Sequence, residues 1–443
     1  MFRRENRNTS QGRRRLKLWP ILSALLVICY LAVSAWFAFF GNGTGRDADG
    51  DTGDQAAAVT ATPAPTLAQT PTPAPTPEIQ ENAGNEANAA TMRVTTPAVK
   101  VRGLYVSAWS AGMENRMAKY VEICETTEIN ALVIDVKDDL GQITFITDTE
   151  GLSATSVRII PDIEGIVSDL KSRGVYTIAR VVCFKDPVWS KRQPELAIQN
   201  AWGELWTDGI GGTWLDPYKT GAWDYIAAVS LEAARVGFDE VQLDYVRFPS
   251  DGRLGDISFG ATGEGKSKTE IINEFVAHIR AILAKEGVRL SADVFGIIAI
   301  SNADSEDIGQ NLMLLQDSTD SLCPMIYPSH FANKKQNGTG QRINGVLFEA
   351  PDLEPYEVVY NILVEFSRRL KNDGGQAVMR PYLQAFTAAY LGEGYYQQYR
   401  AEQIQEQIQA VYDAGFDEWI LWNHNSIYSD DFFVVDVVDA VDE

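Results

Sequence analysis

Strand-like and helix-like runs alternate eight times between Val101 and the end of the chain. Apolar runs at 102–108, 131–136, 175–184, 239–247, 288–295, 321–328, 377–384 and 417–423 predict strands. Stretches at 114–127, 161–173, 219–236, 268–286, 305–316, 354–372, 400–414 and a short 429–441 predict helices. The helical stretches carry apolar residues three and four apart, as in Ile271, Phe275, Ile279 and Ile282. Gly237 and Gly287 stand where two of them should stop. Eight strand-then-helix units predict an α/β fold, a TIM-like (β/α)8 barrel with a closed parallel sheet. An internal echo gives the register: Gly237-Phe-Asp-Glu-Val-Gln-Leu-Asp244 aligns without gaps on Gly415-Phe-Asp-Glu-Trp-Ile-Leu-Trp422. These are strands four and eight, opposite in a barrel, so Asp244 and Trp422 should point the same way.

The barrel is expected over residues 100–443, and the chain before it is of another kind. Residues 1–18 form a basic tail with seven Arg and Lys and one acid before position 18. Trp19 to Phe40 is a run of 22 residues without a charge, enough to cross a bilayer, which takes about 20. Basic residues before the span favour a cytoplasmic amino terminus. The expectation is an uncleaved transmembrane signal anchor at 19–40, because a secretory signal has a shorter apolar core of about 7–15 residues. Residues 41–99 lack Phe, Trp and Tyr and centre on a Pro/Thr/Ala tract, a composition that favours an extended, disordered linker. Together these predict a single-pass membrane protein with its barrel on the extracellular side.

Beyond Lys17 the charge balance is 31 basic against 59 acidic residues, the wrong sign for a nucleic-acid partner. Cys29 falls in the span, and Cys124, Cys183 and Cys323 are scattered in apolar contexts, which predicts small core residues and no disulfide framework. His278 lies mid-helix, leaving His330 and His424, and no His-x-x-His, Cys-x-x-Cys or phosphate-loop spacing occurs. Neither a metal nor a cofactor is expected.

The chemistry gathers at strand ends. Asp244 closes strand four inside an apolar run, and Asp293 holds the same place in strand five. Burying an isolated carboxylate is costly, and two facing carboxyl groups are what glycoside hydrolysis uses. Asp244 is the candidate nucleophile or base and Asp293 the candidate general acid. A structural pair between Asp244 and Arg247 is the plainer alternative. In strand two, Asp135 and Lys137 should alternate inward, with Lys137 keeping Asp135 ionised. Helix capping or solvation is the expectation for Asp138, Asp139, Asp251 and Asp304. Trp189, Trp202, Trp206 and Trp214 are expected mostly to pack a long loop. Trp109 and Trp422 are favoured as sugar-stacking platforms, and Tyr327 ends strand six.

Several ordered pieces of the chain resemble a bacterial family of glycoside-hydrolase-like barrels long known as a domain of unknown function. They are Arg102-Gly-Leu-Tyr-Val, Val133-Ile-Asp-Val-Lys-Asp-Asp-Leu-Gly141, Gln242-Leu-Asp-Tyr-Val-Arg-Phe-Pro-Ser-Asp251 and Ser291-Ala-Asp-Val-Phe-Gly296. Pro324-Met-Ile-Tyr-Pro-Ser-His330, Arg380-Pro-Tyr-Leu-Gln384 and Leu421-Trp-Asn423 complete the set. The resemblance implies a barrel that hydrolyses a polysaccharide. A looser similarity to the alpha-amylase clan implies Asp244 as nucleophile and Asp293 as proton donor, with Gln242 where that clan has arginine and Asp293 where it has glutamate. The expected substrate-binding set is Trp109, Asp135, Lys137, Arg247, Tyr327, His330, Arg380, Gln384, Trp422 and Asn423.

The leading expectation is a membrane-anchored glycoside hydrolase whose partner is a cell-envelope or extracellular polysaccharide. A carboxyl separation of about 5–5.5 Å would imply retention and about 6.5–9.5 Å inversion. The rival is a non-catalytic glycan-binding barrel that positions cell-wall machinery, since strand seven carries no carboxylate. A polysaccharide deacetylase is disfavoured by the missing metal ligands.

Overall fold

The structure, a computed structural model, describes residues 99–433 apart from 264 and 374–376. The basic tail, the span at 19–40, all but the last residue of the linker and most of the 429–441 helix lie outside the described residues. Among the described residues no helix is long and apolar enough to cross a membrane.

Eight parallel strands close into a barrel. They are β1 (Arg102–Val106), β2 (Ala131–Lys137), β3 (Tyr176–Val182), β4 (Glu240–Asp244), β5 (Arg289–Phe295), β6 (Ser321–Ile326), β7 in two pieces (Val378–Met379 and Tyr382–Gln384) and β8 (Trp419–Trp422). Each pairs with the next, and β8 returns to β1 through Arg102 opposite Trp419 and Leu104 opposite Leu421. Every strand falls inside its predicted range except β2, which runs one residue further, to Lys137. β7 is interrupted at Arg380-Pro381, where proline has no N–H for the ladder.

The helices cover the outside of the barrel: α1 (Glu114–Thr126), α2 (Ile163–Ser172), α3 (Thr220–Val236), α4 (Lys268–Leu283), α5 (Asn302–Ile308), α6 (Leu312–Ser318), α7 (Pro355–Asp373) and α8 (Ala401–Asp413). In α4, Ser267 and Glu270 form a capping box, and the buried stripe runs through Ile271, Phe275, Ile279 and Leu283. Ile282 is only partly buried, at the edge of that stripe. The single helix expected at 305–316 is two. Gly309, at φ +80°, stops α5, and the Asn311 side chain caps α6. Gly237 and Gly415 both turn in the left-handed region (φ 105° and 87°) before their strands, so the two halves of the echo enter the barrel alike.

Outward residues of β4 and β5, among them Val241, Leu243, Leu290 and Val294, join the core under the helices. Inside the barrel a second cluster packs Val133, Ile178, Cys323, Tyr382 and Ile420. Its floor is ionic. Arg380 donates from Nη1 to Glu240 Oε1 (2.7 Å) and from Nε to Glu418 Oε2 (2.8 Å), all three side chains being buried. Glu240 and Glu418 are equivalent positions of the echo, so one arginine ties strands four and eight together across the barrel. Cys124, Cys183 and Cys323 are free thiols.

Candidate active site

The carboxyl ends of the strands form the mouth, and the parity of each strand decides what enters it. In β4, Glu240, Gln242 and Asp244 share the inner face. In β5, Ser291 and Asp293 do so, as the Ser291 hydroxyl bond to Glu240 shows. Gln242 sits beneath Asp244, accepting from the Tyr382 hydroxyl (2.5 Å) and donating to Cys323 Sγ (3.1 Å).

Asp244 Oδ2 accepts from Arg180 Nε (2.9 Å) and Nη2 (2.5 Å), and Oδ1 from the backbone N–H of Tyr245 (2.5 Å). The remaining nitrogen of the fork, Nη1, donates to Asp135 Oδ1 (2.6 Å), and the Tyr105 hydroxyl donates to Asp135 Oδ2 (2.7 Å). Arg180 therefore joins two carboxylates from the strands on either side of its own, with its guanidinium 5.6 Å from the Tyr105 ring centre. Burial pushes the Asp135 carboxyl up from its ordinary value, with Arg180 and Tyr105 pulling the other way. The Asp244–Arg247 pair is corrected: Asp244 is held by Arg180. Arg247 instead stacks on Phe295, Trp214 and Tyr245 and donates to Phe248 O and Ser250 Oγ.

Asp293 occupies the opposite kind of environment. It is 2 % exposed, and its Oδ1 has no hydrogen-bond partner. Burial, and then the charge of nearby Asp244, raise its carboxyl well above the ordinary value. These surroundings favour the protonated carboxyl over the carboxylate.

Trp422, half-buried, forms a wall of the mouth with Tyr327 (ring centres 5.5 Å apart), Phe386 (5.4 Å) and Tyr105 (6.0 Å). His330 stands edge-on to Tyr327 at 4.9 Å, and burial lowers it to about 4, so it is neutral at ordinary pH. Trp109 lies just past β1 and is 65 % exposed. Of these aromatic side chains Trp109 and, in part, Trp422 reach solvent, whereas Tyr105, Tyr327 and Phe386 are buried.

Four members of the expected binding set are placed elsewhere. Lys137 does not share a face with Asp135, because β2 slips register between them and a bulge re-aims the following side chain. Lys137 instead lies under α3, ion-paired to Asp186 (2.9 Å), donating to Val182 O and facing the Tyr225 ring. Arg380 is in the floor. Gln384 is fully buried and saturated by Asp352 Oδ1, Phe386 O and the N–H of Ser329, bracing the loop that carries His330. Asn423 donates to Ala385 O and accepts from the N–H of Asn425, shaping its own turn.

Among the loop acids, Asp138 accepts from the N–H groups of Leu140 and Gln142, and burial raises it to about 7. Asp139 is exposed, and Asp251 accepts from the N–H of Gly209. Asp304 is not a cap; it lies in the first turn that Ser301 caps. Trp206 and Trp214 are buried, Trp189 stacks on Tyr225 of α3, and Trp202 is exposed. Sequence reasoning missed Arg180 and Tyr105. A lone arginine inside the apolar run Thr177–Phe184 was the available signal, since buried arginine needs a counter-ion.

Residues 103–428 match a family described as "Putative glycosyl hydrolase domain". No curated protein matches the chain. A hypothetical protein from Ruminiclostridium thermocellum ATCC 27405 has a solved structure that is 38% identical over 43% of this chain and 97% of that one, with a TM-score of 0.39. The PgaB (BpsB) glycoside hydrolase domain from Bordetella bronchiseptica is 13% identical over 74% of this chain and 95% of its own, with a TM-score of 0.55. That second likeness is one of fold.

Proposed function

The chain belongs to that glycosyl hydrolase family, and from this premise we propose that it hydrolyses a cell-envelope or extracellular polysaccharide with Asp244 and Asp293. The observation that carries the reading is the contrast between the two carboxyl groups. Asp244 is ion-paired to Arg180 and ends β4; Asp293 ends the inner face of β5, buried with an unpartnered oxygen and a raised proton affinity. A carboxylate held in an ion pair beside a carboxyl of raised proton affinity suits a base or nucleophile and its complementary acid. Asp293 would protonate the leaving glycosidic oxygen. Asp244 would attack the anomeric carbon or activate water. The aromatic wall would hold the sugar rings over the pair.

D244N should abolish turnover, because the amide is nearly isosteric but is neither nucleophile nor base, a loss worth about 10²–10⁴-fold or more. Reducing-end release from a panel of envelope glycans is the measurement; hydrolysis by D244N at the wild-type rate would refute the assignment. The rival, a glycan-binding barrel without turnover, is favoured by the absence of an acid at the end of β7. It predicts that wild type and D244N bind alike and release nothing.

The run at 19–40 would anchor the chain with residues 41–443 outside. Protease added to intact cells should then degrade the barrel; its protection would overturn the orientation.

A further inference from the structure

Two cations at the mouth lack what the other buried cations among the described residues have. Lys137, Arg180, Arg280 and Arg380 each meet a carboxylate at 2.9 Å or less. Lys185 and Arg247 do not. Each follows its strand, β3 or β4, by three residues, and each is 8 % exposed. Lys185 Nζ has no hydrogen bond or ion pair among the described residues; its contact is the face of the Tyr245 ring at 5.0 Å. Arg247 lies 5.1 Å from the same ring and uses one nitrogen, Nη1, on two neutral oxygens. Burial disfavours the charged form of Lys185, and Tyr245, then Asp139 and Asp208, favour it, yet no carboxylate pairs with it. A buried cation without an anion is costly, and the fold keeps two of them around one ring.

Their position is that of the reaction. Tyr245 directly follows Asp244 and holds φ at +48°, a left-handed conformation that a tyrosine rarely adopts. Strain of this kind collects where a ligand is gripped. The turn brings the ring against both cations, 5.0 Å from Lys185 Nζ and 5.1 Å from the Arg247 guanidinium, one residue after Asp244.

We propose that Lys185 and Arg247 clamp an oxyanion on the sugar next to the scissile bond, so that the substrate is an anionic glycan. This rests on the hydrolase reading above for the bond that is broken, but not for the clamp itself. Arginine presents a planar fork to a carboxylate or phosphate, and lysine adds a point charge. Asp139, Asp208 and Asp251 act on Lys185, Arg247 or both from a distance without pairing with either, and Asp135 and Asp244 are already held by Arg180, so Lys185 and Arg247 are the groups that would give an anion its counter-charge. The chain as a whole carries a net charge of −22, so attraction is local and fixes which sugar position enters.

The test is calorimetric titration of the full chain, with turnover silenced by D293N, against pairs of sugars that differ in charge alone. Oligogalacturonate against its methyl ester tests a carboxylate; glucose 6-phosphate against glucose tests a phosphate. At least one charged member should bind tenfold or more tightly than its neutral twin, and the responding pair identifies the oxyanion. The added K185M substitution should erase that difference, K185R should keep most of it, and rising salt should weaken it. Equal affinity within both pairs, no binding by either charged member, or a preference that survives K185M would overturn the clamp. If K185M does not fold, K185R and the salt dependence decide. Anionic binding without wild-type hydrolysis of any glycan would leave the clamp and sink the hydrolase. Hydrolysis of neutral glycans at an unchanged rate in K185M would do the reverse.

Discussion

Arg180 grips Asp244 with two nitrogens, at 2.9 and 2.5 Å, while its third reaches Asp135 at 2.6 Å. The three residues come from adjacent strands, so the arrangement locks the register of β2, β3 and β4 at the level where chemistry is proposed. A guanidinium shared by two carboxylates orients both and leaves Asp244 little rotational freedom.

R180M would strip two buried carboxylates of their counter-ion. Breaking a buried pair costs about 3–5 kcal/mol, so denaturant unfolding should show a loss of that order. R180K keeps the charge without the fork. It should fold, bind glycan with a similar KM, and lose kcat by about 10²-fold through misplacement of Asp244. Wild-type turnover by R180K would mean that Arg180 does not position the reacting carboxylate.

Asp293 predicts a pH dependence of definite sign. Its folded proton affinity lies above the ordinary carboxylate value, so the folded state binds more protons than the unfolded state in the window between the two values. The stabilisation is complete below the unfolded value and is lost as pH rises through the folded one. D293N cannot ionise and should escape that loss. The melting temperature of D293N minus that of wild type should therefore grow with pH above the ordinary carboxylate range. Wild-type kcat/KM should fall over its alkaline limb as the general acid loses its proton. A melting difference that stays flat with pH would show that Asp293 is not protonated in the fold.

Lys137 and Asp186 form a buried pair behind the sheet, both with fully buried side chains. K137M should destabilise the barrel by about 3–5 kcal/mol, because Asp186 would remain as an uncompensated charge. The double change K137M/D186N should recover much of that loss, since the amide oxygen can still accept from the N–H groups of Val188 and Trp189. The KM of the folded protein should be unchanged in both. A raised KM with unaltered unfolding would return Lys137 to the mouth.

Two of the departures from expectation at this site share a cause. Alternation along β2 assigns Lys137 to the face of Asp135, and nothing in Asp135-Val-Lys137 announces the bulge that separates them. The alternative reading of Asp244 paired it with Arg247 three residues away, whereas its partner is Arg180 on the neighbouring strand, where register decides. The strands themselves were legible because period-two apolar runs and three-to-four helical spacing differ sharply, and the family was legible in the order of its motifs. The break in the helix after β5 was marked by Gly309 and Asn311, a stop and a cap next to each other. The floor was written in the echo as well. It set Glu240 and Glu418 at matching inward positions, and Arg380 was an arginine in a strand with no acid of its own.

W422A should weaken glycan binding more than it weakens the barrel. The echo places Trp422 at the strand position of Asp244, and the structure finds it half-exposed, facing Tyr105, Tyr327 and Phe386 within 6.0 Å. Its removal opens one side of an aromatic wall whose other members keep their own packing, since Tyr327 and Tyr105 are buried and Tyr105 is bonded to Asp135. A fully buried tryptophan cut to alanine typically costs about 3–5 kcal/mol, and a half-exposed one should cost less. Loss of a stacking face should instead appear as a raised KM with little change in kcat, because the stack acts on bound sugar before and during reaction alike. Thermal melting and glycan titration of the same variant separate the two effects. A large fall in melting temperature with unchanged affinity would make Trp422 a core residue and leave Trp109, exposed on the β1 side of the mouth, as the remaining platform.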